Sequence, residues 1–517
     1  MLVPALLALL APGAGAPADE PHAGPPERPN VLILYADDLG YGDVGATNPD
    51  SKIPTPHLDR LAAEGLTFTD AHSSSGICTP SRYALLTGRH HWRDFHGIVN
   101  SFGGSVFEDG QLTLARLLKE NGYRTACIGK WHLGWDWDAV RDPSVKPVGD
   151  GRRKGLPPEA FGWSQPIPGG PLAVGFDHYF GDTVINFPPY AWIEDDRVTQ
   201  APTVMKDESL WPPIKEGNWE CRPGPMVEGW NPYDVLPTLA DRGVAYLKEQ
   251  ADAEQPFFLY FAFPSPHAPI IPNDEFDGAS QAGPYGDFVH QTDHVVGRLL
   301  KALEESGEAE NTLVVFTADN GPERYAYARD QQFDHWSAEP FRGLKRDIHE
   351  GGHHVPFFVR LPGVTEPGST TDALTSQVDL FATVAEATGS ELPSDAAAAD
   401  GTRYQDSYSL LPVLKGAETS GREAIVHNTF NNAYALRQGD WLLIDAKTGH
   451  HSGVDPKWFA KHDTPRETGD VHLYNLAEDV GQRHDLAAER PEKTAALRAA
   501  LDAARAPVPR VLTPAGR

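Results

Sequence analysis

Cysteine is nearly absent from this sequence: Cys78, Cys127 and Cys221 are the only three in 517 residues. So sparse and odd a set builds no disulfide framework, so the fold must rest on its hydrophobic core. Cys127 and Cys221 are expected as buried free thiols rather than as a bridge. Positive charge is also scarce, with 44 Lys and Arg against 72 Asp and Glu and a formal net charge of −28. That balance argues against nucleic acid or an anionic membrane surface as partner. It leaves an anionic substrate open, because a local group of cations and a metal ion can reverse the field inside a pocket. Long apolar runs are missing too. The one near the start, MLVPALLALLAPGAGAPADE, is too short for a comfortable membrane span. Its apolar stretch followed by small residues reads as a secretory signal over residues 1–16, cut near Ala16, although the usual basic start is missing. With no later span, the expectation is a soluble chain, periplasmic or secreted.

Glycine and proline are plentiful, 49 and 46 residues, which points to many shaped loops, the usual carriers of binding and catalytic groups. Apolar runs at 31–35, 124–128, 257–263, 313–317 and 355–361 read as buried parallel strands. Helical patterns at 58–64, 112–121, 236–249 and 288–305 alternate with them, the order of an α/β fold with a mostly parallel sheet. Residues 135–232, rich in Pro, Gly and Trp, break the rhythm as a long insertion of loops. After Gly416 the pattern turns to short antiparallel strands at 423–429, 434–438 and 441–445, then a helix at 491–504. The division expected is a large domain over 28–416 and a smaller C-terminal subdomain over 417–517. No internal repeat is visible, and the alanine run 396–399 reads as a loop.

Four of the five candidate strands are followed at once by chemically useful side chains: Asp37 and Asp38, Lys130 and His132, His267, and Asp319 and Asn320. In open α/β sheets, ligands bind beyond the carboxyl ends of the strands, so these residues are placed to converge. Each alone has an ordinary explanation. An acidic pair is commonly a turn or cap, a cation beside it a salt bridge, and a histidine in SPHAP a loop residue. Together, three carboxylates and an amide oxygen suit a hard divalent cation, Ca²⁺ or Mg²⁺, better than zinc. Lys130, Lys345 in RGLKRDIHEGG and Arg82 add the cations that an anion would need. The segment Cys78-Thr79-Pro80-Ser81-Arg82 continues as YALLTGR. Pro80 suits a first helical turn and Gly88 a helix stop, so Cys78 falls at a helix N-terminus that favours anions. A plain cysteine there reads either as a thiolate nucleophile or as a small buried residue.

CTPSRYALLTGR, together with GKWHLG, SPHAP, TADNGP and RGLKRDIHEGG in that order, resembles the type I sulfatase family, particularly members of the arylsulfatase A and N-acetylgalactosamine-6-sulfatase kind. The likeness runs from PNVLILYADDLGYGD to HLYNLAEDVGQRHDLA. It implies a large mostly parallel sheet flanked by helices, alkaline-phosphatase-like, with a smaller C-terminal antiparallel α+β subdomain. It also implies that a maturation enzyme oxidises Cys78 to formylglycine, whose hydrated gem-diol attacks sulfur. Asp37, Asp38, Asp319 and Asn320, with residue 78 itself, match the metal ligands, and the family parallel favours calcium over magnesium. Arg82 would hold the diol; Lys130, His132, His267 and Lys345 would hold sulfate and move protons. Two departures stand out: His354 where the family often has arginine, and His57 in TPHLD where it usually has asparagine.

The competing readings are a phosphodiester or phosphonate monoester hydrolase of the same superfamily, and a noncatalytic binder of sulfated glycans. The complete set of Cys78, Arg82, Lys130 and Lys345 speaks against a mere binder. For the substrate, the resemblance favours a sulfated glycan. In the insertion, Tyr190 and Trp192 are placed to stack on a sugar, with Asn186 and Glu194 reading its hydroxyls; such aromatics more often simply pack their loop.

Overall fold

The computed structural model describes residues 26–251, 253–393, 403–429 and 433–512. The signal segment and the alanine run lie outside them. Ten strands form the main sheet: β1 (Asn30–Asp37), β2 (Leu66–Phe68), β3 (Arg124–Gly129), β4 (His178–Gly181), β5 (Ile193–Glu194), β6 (Arg197–Val198), β7 (Phe257–Pro266), β8 (Thr312–Ala318), β9 (Phe357–Arg360) and β10 (Ser369–Thr371). Their spatial order is β10-β2-β9-β8-β1-β7-β3-β4-β5-β6. The run from β8 through β1, β7 and β3 to β4 is parallel, and both edges carry antiparallel pairs.

The centre is parallel because both faces are covered. Along β1, Val31, Ile33 and Tyr35 enter one core with residues of α2 (Cys78–Thr87) and α3 (Leu114–Glu120). Leu32, Leu34 and Ala36 enter another with α1 (Pro56–Glu64), α4 (Val235–Glu249) and α5 (Gly283–Glu305). Side chains alternate across a strand, so a strand buried on both faces reads as a continuous apolar run. Each such Val, Leu or Ile contributes roughly 1.5–3 kcal/mol through burial.

Two expectations about the sheet need correction. The run at 355–361 was expected to be parallel; β9 pairs antiparallel with both β8 and β2. After β8 the chain enters loops and short helices with no crossover helix to the far end, so the next strand starts where β8 finished. An apolar run carries no sign of direction. The insertion is also more than loops, because it supplies β4, β5 and β6. Those strands are too short to show a period in the sequence.

Near the C-terminus a separate antiparallel sheet contains β11 (Ala424–Asn428), β12 (Tyr434–Gln438), β13 (Trp441–Asp445) and β14 (His472–Asn475). The last was not anticipated. One face packs on α6 (Pro491–Ala504) through Leu497 and Leu501. Ala435, Leu442 and Ile444, on the other face, pack with Ile348, three residues beyond Lys345. All three cysteines are buried and free.

Candidate active site

The site is built at the carboxyl ends of the parallel strands. β1 ends on Asp37, and the Ala36–Ala318 register sets Asp319 beside it as the chain leaves β8. Asp38 turns out of the strand with φ of +63°. That backbone region costs a non-glycine residue about 1–2 kcal/mol, least for Asp and Asn. The turn is held by the Asp38 amide, which donates to Asp319 Oδ1 at 3.2 Å, and by Asn320 Nδ2, which donates to Asp38 Oδ1 at 2.7 Å. At the end of β3, Gly129 has φ of +110°, and a Cβ there would lie 1.9 Å from the Ala262 carbonyl oxygen. Only glycine lets the chain turn there and deliver Lys130.

The cations lock onto these carboxylates. Lys130 Nζ donates to Asp37 Oδ2 at 2.6 Å, and Lys345 Nζ to Asp38 Oδ2 at 2.8 Å. Arg82 donates to Asp319 Oδ2 through Nη2 at 2.8 Å and Nε at 3.1 Å, and to the Lys130 carbonyl at 3.2 Å. His267 Nε2 stands 3.7 Å from Asp38 Oδ2. Burial, and then Asp37, push the Asp319 carboxyl up to about 6, against the pull of Arg82 and Lys130. Burial would also raise Asp38, yet Lys345, His267 and Lys130 outweigh it and hold that carboxyl well below the usual range.

Cys78 is the first residue of α2, after Ile77 in extended conformation, and Gly88 ends the helix with φ of +65°. A Cβ on Gly88 would come within 2.9 Å of the Phe381 ring, so the stop requires glycine. Burial pushes the Cys78 thiol up despite Lys130 and Lys345. That burial works against the thiolate reading of a plain cysteine.

Cys78 opens onto a cavity of about 180 Å³ lined also by Ile98, His132, Asn186, His267 and Lys345. The structure thus brings together most of the residues singled out in the sequence, with Asp37, Asp38, Lys130, Asp319 and Asn320 buried outside the cavity lining, and it sets Arg82, Tyr190, Trp192 and Glu194 apart from the cavity. Arg82 is fully buried behind Cys78 with its fork on Asp319, so it orients a carboxylate. Trp192 stacks on Phe180 at 4.9 Å, and Glu194 pairs with Arg242 at 3.2 Å; neither lines the cavity. Tyr190 is buried and donates to the Arg222 carbonyl at 2.6 Å. These residues face away because the 193–198 hairpin joins the sheet edge. The residues of the insertion that do reach the cavity are Val184, Asn186, Phe187, Glu220 and Arg222, and Glu323 and Arg346 complete the wall. Arg222 lies over the Phe187 ring at 3.6 Å, and Arg346 donates to Glu323 at 2.7 Å. Glu220 and Arg222 were missed because nothing in their spacing marks them; Arg346, adjacent to Lys345, was the one local clue.

The oxygen set fits a hard cation. Ligand atoms of Asp37, Cys78 and Asp319 lie within 4.8 Å of one another, as do those of Asp37, Asp38 and His267. Asp37 Oδ1 and Asn320 Oδ1 are buried without a hydrogen-bond partner among the described residues. Buried acceptors left in that condition are costly, and an ion satisfies them.

Fold and site together define a hydrolase of anionic esters. The family model named Sulfatase matches residues 29–390. An N-acetylgalactosamine-6-O-sulfatase of Bacteroides thetaiotaomicron is 31% identical over 90% of this chain and 91% of its own length. Human N-acetylgalactosamine-6-sulfatase is 32% identical over 92% and 84%, and mouse steryl-sulfatase 32% over 94% and 83%. A solved Bacteroides thetaiotaomicron structure, described under the metabolism of multiple glycosaminoglycans, superposes with a TM-score of 0.75 at 28% identity, covering 93% of this chain and 99% of that one. The chain belongs to the sulfatase family and is an enzyme of that class.

Proposed function

We propose that the chain releases inorganic sulfate from a sulfated sugar, with residue 78 acting as formylglycine and one calcium ion held by Asp37, Asp38, Asp319 and Asn320. The observation that carries this reading is the meeting of Cys78, the lysines and the unpartnered oxygens at one end of the sheet. A formylglycine at 78 would supply a hydrated aldehyde, one hydroxyl attacking sulfur and the other later expelling sulfate by C–O cleavage; the ion would supply Lewis acidity beside it.

The chain's own residues supply the remainder. Lys130 and Lys345 place two ammonium groups where sulfate oxygens gather charge. Lys345 holds its proton firmly, because Asp38 and Glu323 offset its burial. Burial and Lys345 hold the His267 ring down to about 4, so it is neutral at pH 7. Its Nδ1–H donates to the Ala268 carbonyl, which leaves Nε2 as a lone pair able to take a proton. His132 is likewise held neutral by burial and Lys130, and donates through Nε2 to the Val99 carbonyl at 3.0 Å. That leaves Nδ1 unpartnered beside the cavity. Arg82 keeps Asp319 oriented throughout.

A sugar suits the cavity wall better than a sterol does, because Asn186, Glu220, Arg222, Glu323 and Arg346 offer polar and charged groups where a sterol would need apolar surface. A 6-sulfated N-acetylgalactosamine is the form acted on by the relatives named for it. Export to the periplasm or beyond belongs to the same reading; no helix among the described residues is long and apolar enough to cross a membrane. The test is sulfate release from 6-sulfated N-acetylgalactosamine, a sterol sulfate and an aryl phosphate. Preference for the sugar sulfate supports the reading, and faster turnover of either of the others refutes it.

A further inference from the structure

Four side chains outside the Cys78 cavity form a second polar centre. His72, Glu350, His353 and His427 are each at most 1% exposed, and one ligating atom from each lies within 4.8 Å of the others. They come from three separated segments: Ala71–His72, which runs through the serine loop to Cys78; 350–354, just after Lys345; and β11 of the C-terminal sheet.

Hydrogen bonding decides which atoms face inward. Asp70 Oδ1 accepts from His72 Nε2 at 2.8 Å, and the Ile348 carbonyl accepts from His353 Nε2 at 3.4 Å. A neutral imidazole that donates through Nε2 has only a lone pair at Nδ1. The two Nδ1 atoms nevertheless face each other at 3.1 Å. Glu350 Oε2 accepts from His354 at 3.0 Å and lies 3.8 Å from His72 Nδ1. Glu350 Oε1 and both nitrogens of His427 have no partner among the described residues. The pocket is therefore lined with acceptors and calls for a cation. One proton shared by the facing Nδ1 atoms would settle that pair alone, leaving Glu350 Oε1 and His427 orphaned. A metal ion would engage all four side chains.

We propose that His72, Glu350, His353 and His427 form a structural zinc-class site that ties the C-terminal sheet to the loops carrying residue 78 and Lys345. Three imidazoles and a carboxylate are ligands for zinc rather than calcium. In tetrahedral zinc sites with ligands at roughly 2.0–2.1 Å, neighbouring nitrogens stand about 3.4 Å apart, close to the Nδ1 separation seen. Asp70 is the outer carboxylate that fixes the His72 tautomer, and Arg437 holds Asp70 at 3.2 Å. One movement is required: the His353 and His427 rings stack at 3.5 Å and 11°, and a metal lies in the plane of each ring it binds. Among the described residues, the His427 side chain makes no hydrogen bond that turning would break. The surrounding backbone is already joined, with the Ser73 amide donating to the His353 carbonyl at 2.7 Å and Ser75 Oγ to the Asn428 carbonyl at 2.8 Å.

The test uses the full untagged chain, stripped with chelator and then dialysed against zinc chloride or cobalt chloride with calcium present throughout. The expected result is one equivalent of zinc per chain, a raised melting temperature, and intense visible bands from tetrahedral cobalt. His427→Ala and the milder Glu350→Gln should lose the bound zinc and the temperature shift while calcium content is unchanged. No zinc uptake by the wild-type chain, or equal uptake by folded variants, overturns the proposal. Should both variants fail to fold, the wild-type cobalt spectrum decides: octahedral or absent bands overturn the site.

Discussion

The two walls of the candidate site are made differently. The sheet-end wall carries Asp37, Asp38, Asp319, Asn320 and Lys130, all fully buried and outside the cavity lining, at the ends of strands whose register fixes them. The opposite wall, from Asn186 and Phe187 to Glu220 and Arg222, comes from irregular chain held by side-chain stacking. A wall fixed by strand register suits chemistry common to every sulfate ester. Loops can change without disturbing the sheet, so the second wall suits selection of the group that bears the sulfate.

The strongest way to break this comparison is at residue 78. Cys78→Ala should lower turnover of every sulfate ester by on the order of 10⁴-fold, the scale of losing a nucleophile. Mass spectrometry of active wild type should find the residue-78 peptide about 18 Da lighter than the cysteine form, as exchange of thiol for aldehyde requires. Active enzyme carrying only the thiol would remove the nucleophile from the sheet-end wall. Next in size is the ion: chelation should abolish turnover, and calcium or magnesium, not zinc alone, should restore it.

Lys345→Ala sharpens the contrast. It should cost about a hundredfold or more on a small aryl sulfate and a sulfated sugar alike, because it removes one charge from the transition state. Arg222→Ala and Glu220→Ala should instead cost about ten- to a hundredfold on the sugar, the scale of one charged hydrogen bond, and leave the aryl sulfate nearly unchanged. Equal losses on both substrates would erase the distinction between the walls. The smallest effect belongs to Glu194→Ala: its exposed pair with Arg242 should leave both activities intact and shift stability by no more than about 0.5 kcal/mol in a denaturant melt.

The sequence alone determined which groups gather at the carboxyl edge of the main sheet. Buried parallel strands announce themselves as apolar runs, and the groups that follow such runs must emerge at one edge of the sheet. That is why Asp37, Lys130, His267 and Asp319 were legible in advance, along with α2 and its glycine stop. The tertiary structure alone decided what depends on contacts between distant segments. It reversed β9, because the loops after β8 never cross to the far end of the sheet. It turned Trp192 and Glu194 toward the sheet edge and brought Glu220 and Arg222 to the cavity, because a few residues of strand pairing fix which way an aperiodic insertion faces. It gathered His72, Glu350, His353 and His427 from three separated segments, a meeting that no local spacing encodes.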